Sequence, residues 1–180
     1  MLRAKASRCI NDEDYARFTR FYAARCGQFY SQYSLLDALF HLVATLSETH
    51  IMLFDDEKGQ LIGFTQYKME GDTAFLDSAI LSEPYRSSRI FYEGFRDLVK
   101  HIYAEHKEIQ SVRFHALADN LYLTRLYSKF ADKIGVRNGA IGLENIFVVK
   151  LEQLLKYLKL DGLKGGDIHG TNASEFIKRR

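Results

Sequence analysis

The chain has 180 residues, of which 47% are hydrophobic and 13% aromatic, a composition typical of one packed globular domain rather than a disordered segment. A formal net charge of +2 gives no general attraction to nucleic acids or membrane surfaces, so the sequence favours neither class of partner. No apolar run approaches the roughly 20 residues of a membrane span, and the N-terminal segment lacks the apolar core of a signal peptide. We therefore expect a soluble, cytoplasmic protein, in which Cys9 and Cys26 are ordinary thiols.

The first part of the chain predicts a weak strand, at about residues 2–6, and then two helices. Asn11 or Asp12 caps the first helix. Ser34 caps the second helix, where apolar residues recur at helical spacing. The predicted buried stripes are Tyr15, Phe18 and Tyr22 on the first helix, and Leu35, Leu39, Val43 and Leu46 on the second.

The hydrophobic period then changes from that of a helix to that of strands. Residues 50–69 predict two strands around a turn from Asp55 to Gln60, in which Gly59 can take a positive φ. The segment TAFLDSAIL, residues 73–81, is a third strand whose apolar character is typical of a central position in a sheet. These three strands can pair as an antiparallel meander.

The second half alternates helices and strands. A helix runs to about His106, and residues 109–117 form a strand, so that a right-handed crossover places this strand parallel to the third. A helix beginning at Asp119 or Asn120 is predicted to continue almost to Gly135, followed by a last strand and a short helix. The predicted buried residues are Phe91, Phe95, Leu98 and Ile102 on the first of these helices, and Leu123, Leu126, Tyr127, Phe130 and Ile134 on the second.

This order predicts an α/β (α+β) fold, with a mixed, mostly antiparallel central sheet and helices on both faces. The domain occupies residues 1–160. Residues 161–180 are glycine-rich and polar, and we expect them to form a flexible C-terminal tail.

The element order and the residues at two junctions resemble those of the GNAT superfamily of N-acetyltransferases. At the first junction, Pro84, Tyr85 and Arg86 match the start of the superfamily's loop of pattern Q/R-x-x-G-x-G/A. The loop continues with Ser87, Ser88, Arg89, Ile90 and Phe91, so both glycine positions carry side chains. At the second junction, Asn120 is followed by Tyr127 at the superfamily's spacing of seven. Gly135 follows later than in the superfamily, which predicts a helix about one turn longer.

The resemblance implies that the chain uses acetyl-coenzyme A as cosubstrate and transfers its acetyl group to an amine. Tyr127 would donate a proton to the departing thiolate, and Asn120 would bond the coenzyme arm. Backbone N–H groups at Ile80 and Leu81 would polarise the acetyl carbonyl. The residues expected to hold the diphosphate at the start of the helix are Arg86, Ser87, Ser88 and Arg89.

Structural alternatives stand beside these roles. The loop also reads as a capped turn, Tyr127 as a core residue, and Asn120 as a helix cap, which is compatible with its coenzyme role. Phe91 must turn into the core, or it blocks the diphosphate. For the general base, Asp77 is the first choice because it interrupts an apolar strand, and Glu70 and His115 are the alternatives.

The sequence predicts no metal site, because His101 with Glu105, or with His106, forms only a pair on one helix, without a third ligand at metal spacing. The acceptor is an amine of a small molecule or of a protein, next to the two N-terminal helices and the aromatic residues of their connection, Phe29, Tyr30 and Tyr33. A homodimer is compatible with the sequence, which does not fix the oligomeric state.

Two functions of different class follow. The first is an acetyl-coenzyme A-dependent N-acetyltransferase. The second is a non-catalytic GNAT-like binding or structural module that has lost acetyl transfer, a reading that Arg89 and Phe91 favour because they replace the loop glycines.

Overall fold

A computed structural model describes residues 4–28, 34–86, 89–139 and 142–162. Its strands are β1 Lys5–Arg8, β2 His50–Asp55, β3 Leu61–Glu70, β4 Thr73–Leu81, β5 Ser111–Leu117, β6 Asp132–Gly139 and β7 Gly142–Lys150. Its helices are α1 Asp12–Arg25, α2 Leu35–Thr45, α3 Arg89–Glu105, α4 Leu121–Tyr127 and α5 Leu151–Tyr157. Short 3-10 turns follow α1 and precede α3. The predicted tail and the connection carrying Phe29, Tyr30 and Tyr33 lie mostly or wholly outside the described residues.

The strands form one mixed sheet in the order β1-β2-β3-β4-β5-β7-β6. Strands β1 to β4 pair antiparallel, β4 and β5 pair parallel, and β7 pairs antiparallel with both β5 and β6. The predicted fold class, the antiparallel meander and the parallel step are therefore confirmed. The third predicted strand, β4, is the middle strand of the sheet.

Helices cover both faces of the sheet, as predicted. On one face, α3 and α5 bury Leu98, Ile102 and Leu154 against the strands, and α4 packs at the edge of this core. On the other face, α1 and α2 bury Phe18, Tyr22, Ala38 and Leu42 against β2 and β3. Capping fixes where these helices begin: Asn11 accepts a hydrogen bond from the Asp14 amide, and Ser34 forms a reciprocal capping box with Asp37.

The predicted buried face of α2 is wrong at three of its four residues, whereas Leu46 is partly buried against the core. Leu35, Leu39 and Val43 are 55%, 43% and 83% exposed, and the helix buries Ala38 and Leu42 instead. The periodicity was correct, but two apolar stripes run along this helix, and the larger side chains lie on the outer one. The selected face depends on contacts with α1 and the sheet, which the period alone does not specify.

The predicted helix from Asn120 to Gly135 is also wrong in its length. Helix α4 ends at Tyr127, and the chain then forms β6, in which Ile134 is 63% exposed and Gly135 lies mid-strand. Strand β6 lies at the edge of the sheet and pairs with β7 from Asp132 opposite Val148 to Gly139 opposite Gly142. Most residues of this strand are exposed, so it lacks the alternation that identifies a half-buried strand.

Candidate functional site

The central parallel strands separate part-way along their length. Strands β4 and β5 pair from Thr73 opposite Ser111 to Leu76 opposite Phe114. Beyond this point β4 continues to Leu81 and β5 to Leu117 without mutual pairing. The separation begins next to a β-bulge, since Gln66 faces Ser78 and Tyr67 faces Leu76, which leaves Asp77 as the extra residue. An opening therefore lies between the ends of the two parallel strands.

A cavity of about 270 Å³ occupies this opening. Its wall combines the separated strands with the first half of α3, with α4 and with the residues just after α4. The site residues predicted from the sequence that line it are Asp77, Ile80, Leu81, Phe91, His115 and Tyr127. The remainder of the wall is mainly apolar and aromatic, and includes Phe64, Phe95, Phe114 and Phe130. Such a lining, with few polar groups, is typical of a pocket for an organic ligand.

Tyr127 is the last residue of α4, and its ring packs among aromatic side chains. The ring centroid lies 5.0 Å from that of Phe114 and 5.6 Å from that of Phe147. Burial, with a smaller effect from Tyr122, raises the pKa of the Tyr127 hydroxyl to about 12. No side chain or backbone group within the described part of the chain forms a hydrogen bond with this hydroxyl. Tyr127 is thus both a packed aromatic residue and a free phenol at the cavity wall.

Asp77 lies at the bulge, on the cavity wall, and faces helix α2. Its Oδ2 atom is 3.4 Å from Nε2 of His41. The His41 ring stacks on Tyr22, with centroids 6.0 Å apart and planes at 10°. His41 was not predicted as a site residue, because the stripe predicted to be buried on α2 does not contain it. His41 follows Ala38 by three residues and precedes Leu42, so it lies on the face that the structure buries.

The two alternative bases differ in position. His115 lines the cavity with both ring nitrogens buried, and neither has a hydrogen-bond partner in the described ranges, although Glu144 lies 3.4 Å from its Nδ1. Burial, and then the nearby charge of Arg137, lowers the pKa of His115. Glu70 does not line the cavity: it bonds Lys68 and Arg113 at the end of β3, and these bonds lower its pKa despite the opposing effect of burial.

The loop before α3 is only partly described, since Ser87 and Ser88 lie outside the described residues. Arg86 donates from Nε to the Leu81 carbonyl at 2.9 Å, and its Nη2 bonds the Gln28 side chain. Arg89 pairs with Glu93 one turn along α3 at 2.7 Å, with its side chain 72% exposed. The two arginines therefore flank the start of α3, each with a partner.

Phe91 does not turn into the core as the sequence analysis required. It is 38% exposed, lines the cavity, and stacks on Phe95 with centroids 6.3 Å apart. The residue that enters the core at this turn is its neighbour Ile90. Asn120 caps α4 by accepting a hydrogen bond from the Leu123 amide at 3.0 Å, so its predicted capping role is confirmed.

A second polar cluster lies at the other end of α3. No third ligand was predicted for the pair of His101 with Glu105 or His106, but His50 at the start of β2 lies beside Glu105 and His106. One ligand atom from each of the three residues lies within 4.8 Å of the others. The partner comes from a strand more than fifty residues earlier in the chain, so spacing along the helix could not reveal it.

No family model and no curated protein sequence matches the chain. Solved structures do: the ribosomal-protein-S18-alanine N-acetyltransferase of Escherichia coli is 12% identical, has a TM-score of 0.62, and aligns over 82% of this chain and 94% of its own. The spermidine N-acetyltransferase of Vibrio cholerae, in complex with CoA and spermine, is 11% identical, with a TM-score of 0.61 and coverage of 85% and 98%. The chain has the GNAT fold.

A third GNAT structure, an acetyltransferase of Elizabethkingia anophelis with acetyl-CoA bound, is 10% identical and has a TM-score of 0.54, over 61% of this chain and 80% of its own. At such identities the likeness establishes the fold, and activity has to be argued from the site. Within the described ranges, no helix combines the length and apolar character needed to cross a bilayer.

Proposed function

We propose that this chain is an N-acetyltransferase that moves the acetyl group of acetyl-CoA to an amine of a small molecule or a protein. The observation that carries the proposal is the cavity between the separated ends of β4 and β5, with Tyr127 on its wall and its hydroxyl unpaired by the described residues. The GNAT fold and the acetyltransferases that share it support the same reaction class.

The cavity fits the narrow part of the cosubstrate. Its volume of about 270 Å³ is slightly below the ~300–1,000 Å³ of pockets that enclose whole ligands. We assign it the pantetheine arm and the acetyl group, with the diphosphate outside, at the start of α3. The side chains there would supply charge and hydrogen bonds in place of backbone N–H groups, because the loop has no glycine that would expose its backbone. These residues are Arg86, Ser87, Ser88 and Arg89. Backbone N–H groups at Ile80 and Leu81, where β4 no longer pairs with β5, would polarise the acetyl carbonyl, and Asn120 would bond the pantetheine arm.

Tyr127 acts on the leaving sulfur. When the amine nitrogen bonds to the acetyl carbon, the carbon–sulfur bond breaks and the thiolate needs a proton. A phenol with a pKa of about 12 is fully protonated at neutral pH and can donate a hydrogen bond to that sulfur. Complete transfer to a thiolate near pKa 8.5 costs about 5 kcal/mol, and the cost falls where the same burial raises the thiol pKa. Tyr127 therefore hydrogen-bonds the sulfur as the carbon–sulfur bond breaks, and completes the proton transfer where burial has raised the thiol pKa.

The acceptor amine must lose a proton before or during attack, and Asp77 and His115 are the groups that line the cavity. Asp77 is the proposed base, and His41 beside it positions the carboxylate or passes the proton outward. His115 is the alternative, since a neutral imidazole with unpaired nitrogens can accept a proton. An Asp77→Asn and His41→Gln double-mutant cycle tests the coupling between the two residues. We expect each single variant and the double variant to lose a similar factor in kcat/KM, because the two residues act together. Losses that add in the double variant would show that His41 does not assist Asp77.

A second function is favoured by one observation. Phe91 occupies a glycine position of the loop and projects to the cavity wall, where a coenzyme would pass. If Phe91 closes the site, the chain is a GNAT-fold binding or structural module without acetyl transfer.

Calorimetric titration with acetyl-CoA separates the two functions. The parent is compared with Phe91→Gly, which opens the loop, and with the matched control Phe91→Leu, which keeps an apolar side chain. Micromolar binding by the parent is expected for the enzyme, and an amine screen then follows. Binding by Phe91→Gly alone supports the module. No binding by any of the three proteins would refute the assigned coenzyme site.

A further inference from the structure

A cluster of three histidines, a glutamate, a tyrosine and an arginine joins β1, β2 and β3 to the C-terminal end of α3. His50 opens β2, Glu105 ends α3 and His106 follows it. The cluster is separate from the cavity, because α3 rises about 21 Å between Phe91, on the cavity wall, and Glu105. It is therefore independent of the proposed acetyl transfer.

Two of the three ligand atoms of the cluster already contact a cation, the guanidinium of Arg8. The Arg8 guanidinium bonds Glu105 Oε2 through Nη1 and His50 Nδ1 through Nη2. His106 Nε2 lies 3.9 Å from the same Glu105 oxygen. Arg8 lies on the edge strand β1 with its side chain 29% exposed, so the guanidinium has a path to solvent. One imidazole and one carboxylate thus bind a removable positive group, and a second imidazole lies beside that carboxylate.

Neighbouring groups hold these side chains in place. The His50 ring stacks on Tyr67, with centroids 4.9 Å apart, and meets the edge of His106 at 5.1 Å. The Tyr67 hydroxyl lies 3.3 Å from both Glu105 Oε2 and His106 Nε2. His101 Nε2 is buried, 3.1 Å from the other carboxylate oxygen, Oε1. Such outer contacts orient the first ligands of a metal ion.

We propose that His50, Glu105 and His106 bind a divalent transition-metal ion, zinc by preference, in the position that the Arg8 guanidinium occupies. Two imidazole nitrogens and one carboxylate form a donor set that suits zinc, with a fourth position open to water or to His101. The three ligand atoms lie within 4.8 Å of one another, against roughly 3.3 Å between ligands in a tetrahedral zinc site. They must draw together by up to about 1.5 Å as Arg8 leaves. The ion would join the first two strands to α3.

The test is a calorimetric titration of untagged, EDTA-dialysed protein with ZnCl₂, repeated with CoCl₂ for its visible absorption spectrum. We expect one ion per chain, a tetrahedral Co²⁺ spectrum, and at least a tenfold loss of affinity in His50→Ala and in His106→Ala. Arg8→Ala should bind zinc at least tenfold more tightly than the parent, because the competing cation is gone. Circular dichroism of the same sample checks that this variant is folded, because exposed Cys and His side chains of an unfolded chain also bind zinc.

His41→Ala and His115→Ala serve as matched controls, since both remove a partly buried histidine outside the cluster. They should bind zinc as the parent does. Absence of binding by both the parent and Arg8→Ala would overturn the proposal and leave the cluster as a hydrogen-bonded ion-pair network. Binding that His50→Ala and His106→Ala retain would overturn it as well, because the ion would then lie elsewhere.

Discussion

Removing only the hydroxyl of Tyr127 separates its chemical role from its packing role. Tyr127→Phe keeps the ring contacts with Phe114 at 5.0 Å and Phe147 at 5.6 Å. The substitution breaks no hydrogen bond within the described residues. We therefore expect the free energy of unfolding to change by less than about 1 kcal/mol, in contrast to the usual cost of losing a buried hydrogen bond.

The expected effect on turnover is much larger. Loss of a general acid reduces kcat by roughly 10²–10⁴-fold, equivalent to about 3–5 kcal/mol in the transition state. KM for acetyl-CoA should change little, because the ring still forms the cavity wall. The assay is release of free CoA thiol, followed with a thiol-reactive chromophore, once an acceptor amine has been found. Thermal unfolding of the same samples measures stability.

Tyr67→Phe is the matched control. The Tyr67 hydroxyl lies 3.3 Å from Glu105 and His106, outside the cavity, so its loss should cost about 1 kcal/mol and lower Tm by roughly 2–4 °C. Its turnover should equal that of the parent. If Tyr127→Phe is as active as the parent, Tyr127 is a core residue and the assigned proton donor is wrong. If it is unstable instead, the hydroxyl has a structural partner.

Three further predictions concern stability. Leu42→Ala should lower the free energy of unfolding by about 2–5 kcal/mol and Val43→Ala by less than about 0.5, measured by urea denaturation; equal losses would contradict the observed face of α2. Acidification from about pH 7 to about pH 5 should destabilise the parent more than His115→Asn. Burial, together with the charge of Arg137, lowers the pKa of His115 in the folded state. Below about pH 6.5, the ordinary pKa of histidine, the unfolded chain therefore binds more protons than the folded chain, and acidification favours unfolding. The same dependence of Tm on pH in the parent and in His115→Asn would refute this prediction. Ser34→Ala should lower the free energy of unfolding by about 0.5–2 kcal/mol, because it removes the capping box. An unchanged Tm would show that the cap does not contribute to stability.

The segment after Tyr127 shows how a local pattern can mislead. Leu123, Tyr127 and Phe130 recur at helical spacing and do pack together at the edge of the core. Ile134 continues that spacing by coincidence, since it lies exposed on β6. The pairing of β6 with β7 decides its structure, and an exposed edge strand needs no apolar alternation.

The roles of the predicted site residues divide in the same way. Tyr127, Asp77, Ile80 and Leu81 follow from a motif or from their place on a strand, and the structure brings all four to one cavity. His41 and His50 follow from no motif, because each meets its partner from a distant element. Their roles, like those of the loop residues Arg86 and Arg89, remain predictions that the binding and turnover measurements test.

By itself the sequence determined the meander, the parallel step to β5 and the capped starts of α1, α2 and α4, because periodicity and capping act over a few neighbouring residues. Only the tertiary structure decided which stripe of α2 is buried, where α4 gives way to a strand, and that Phe91 faces a cavity rather than the core. It also brought His41 to Asp77 and His50 to Glu105. These outcomes depend on contacts between residues far apart in the chain, and no local period encodes such contacts.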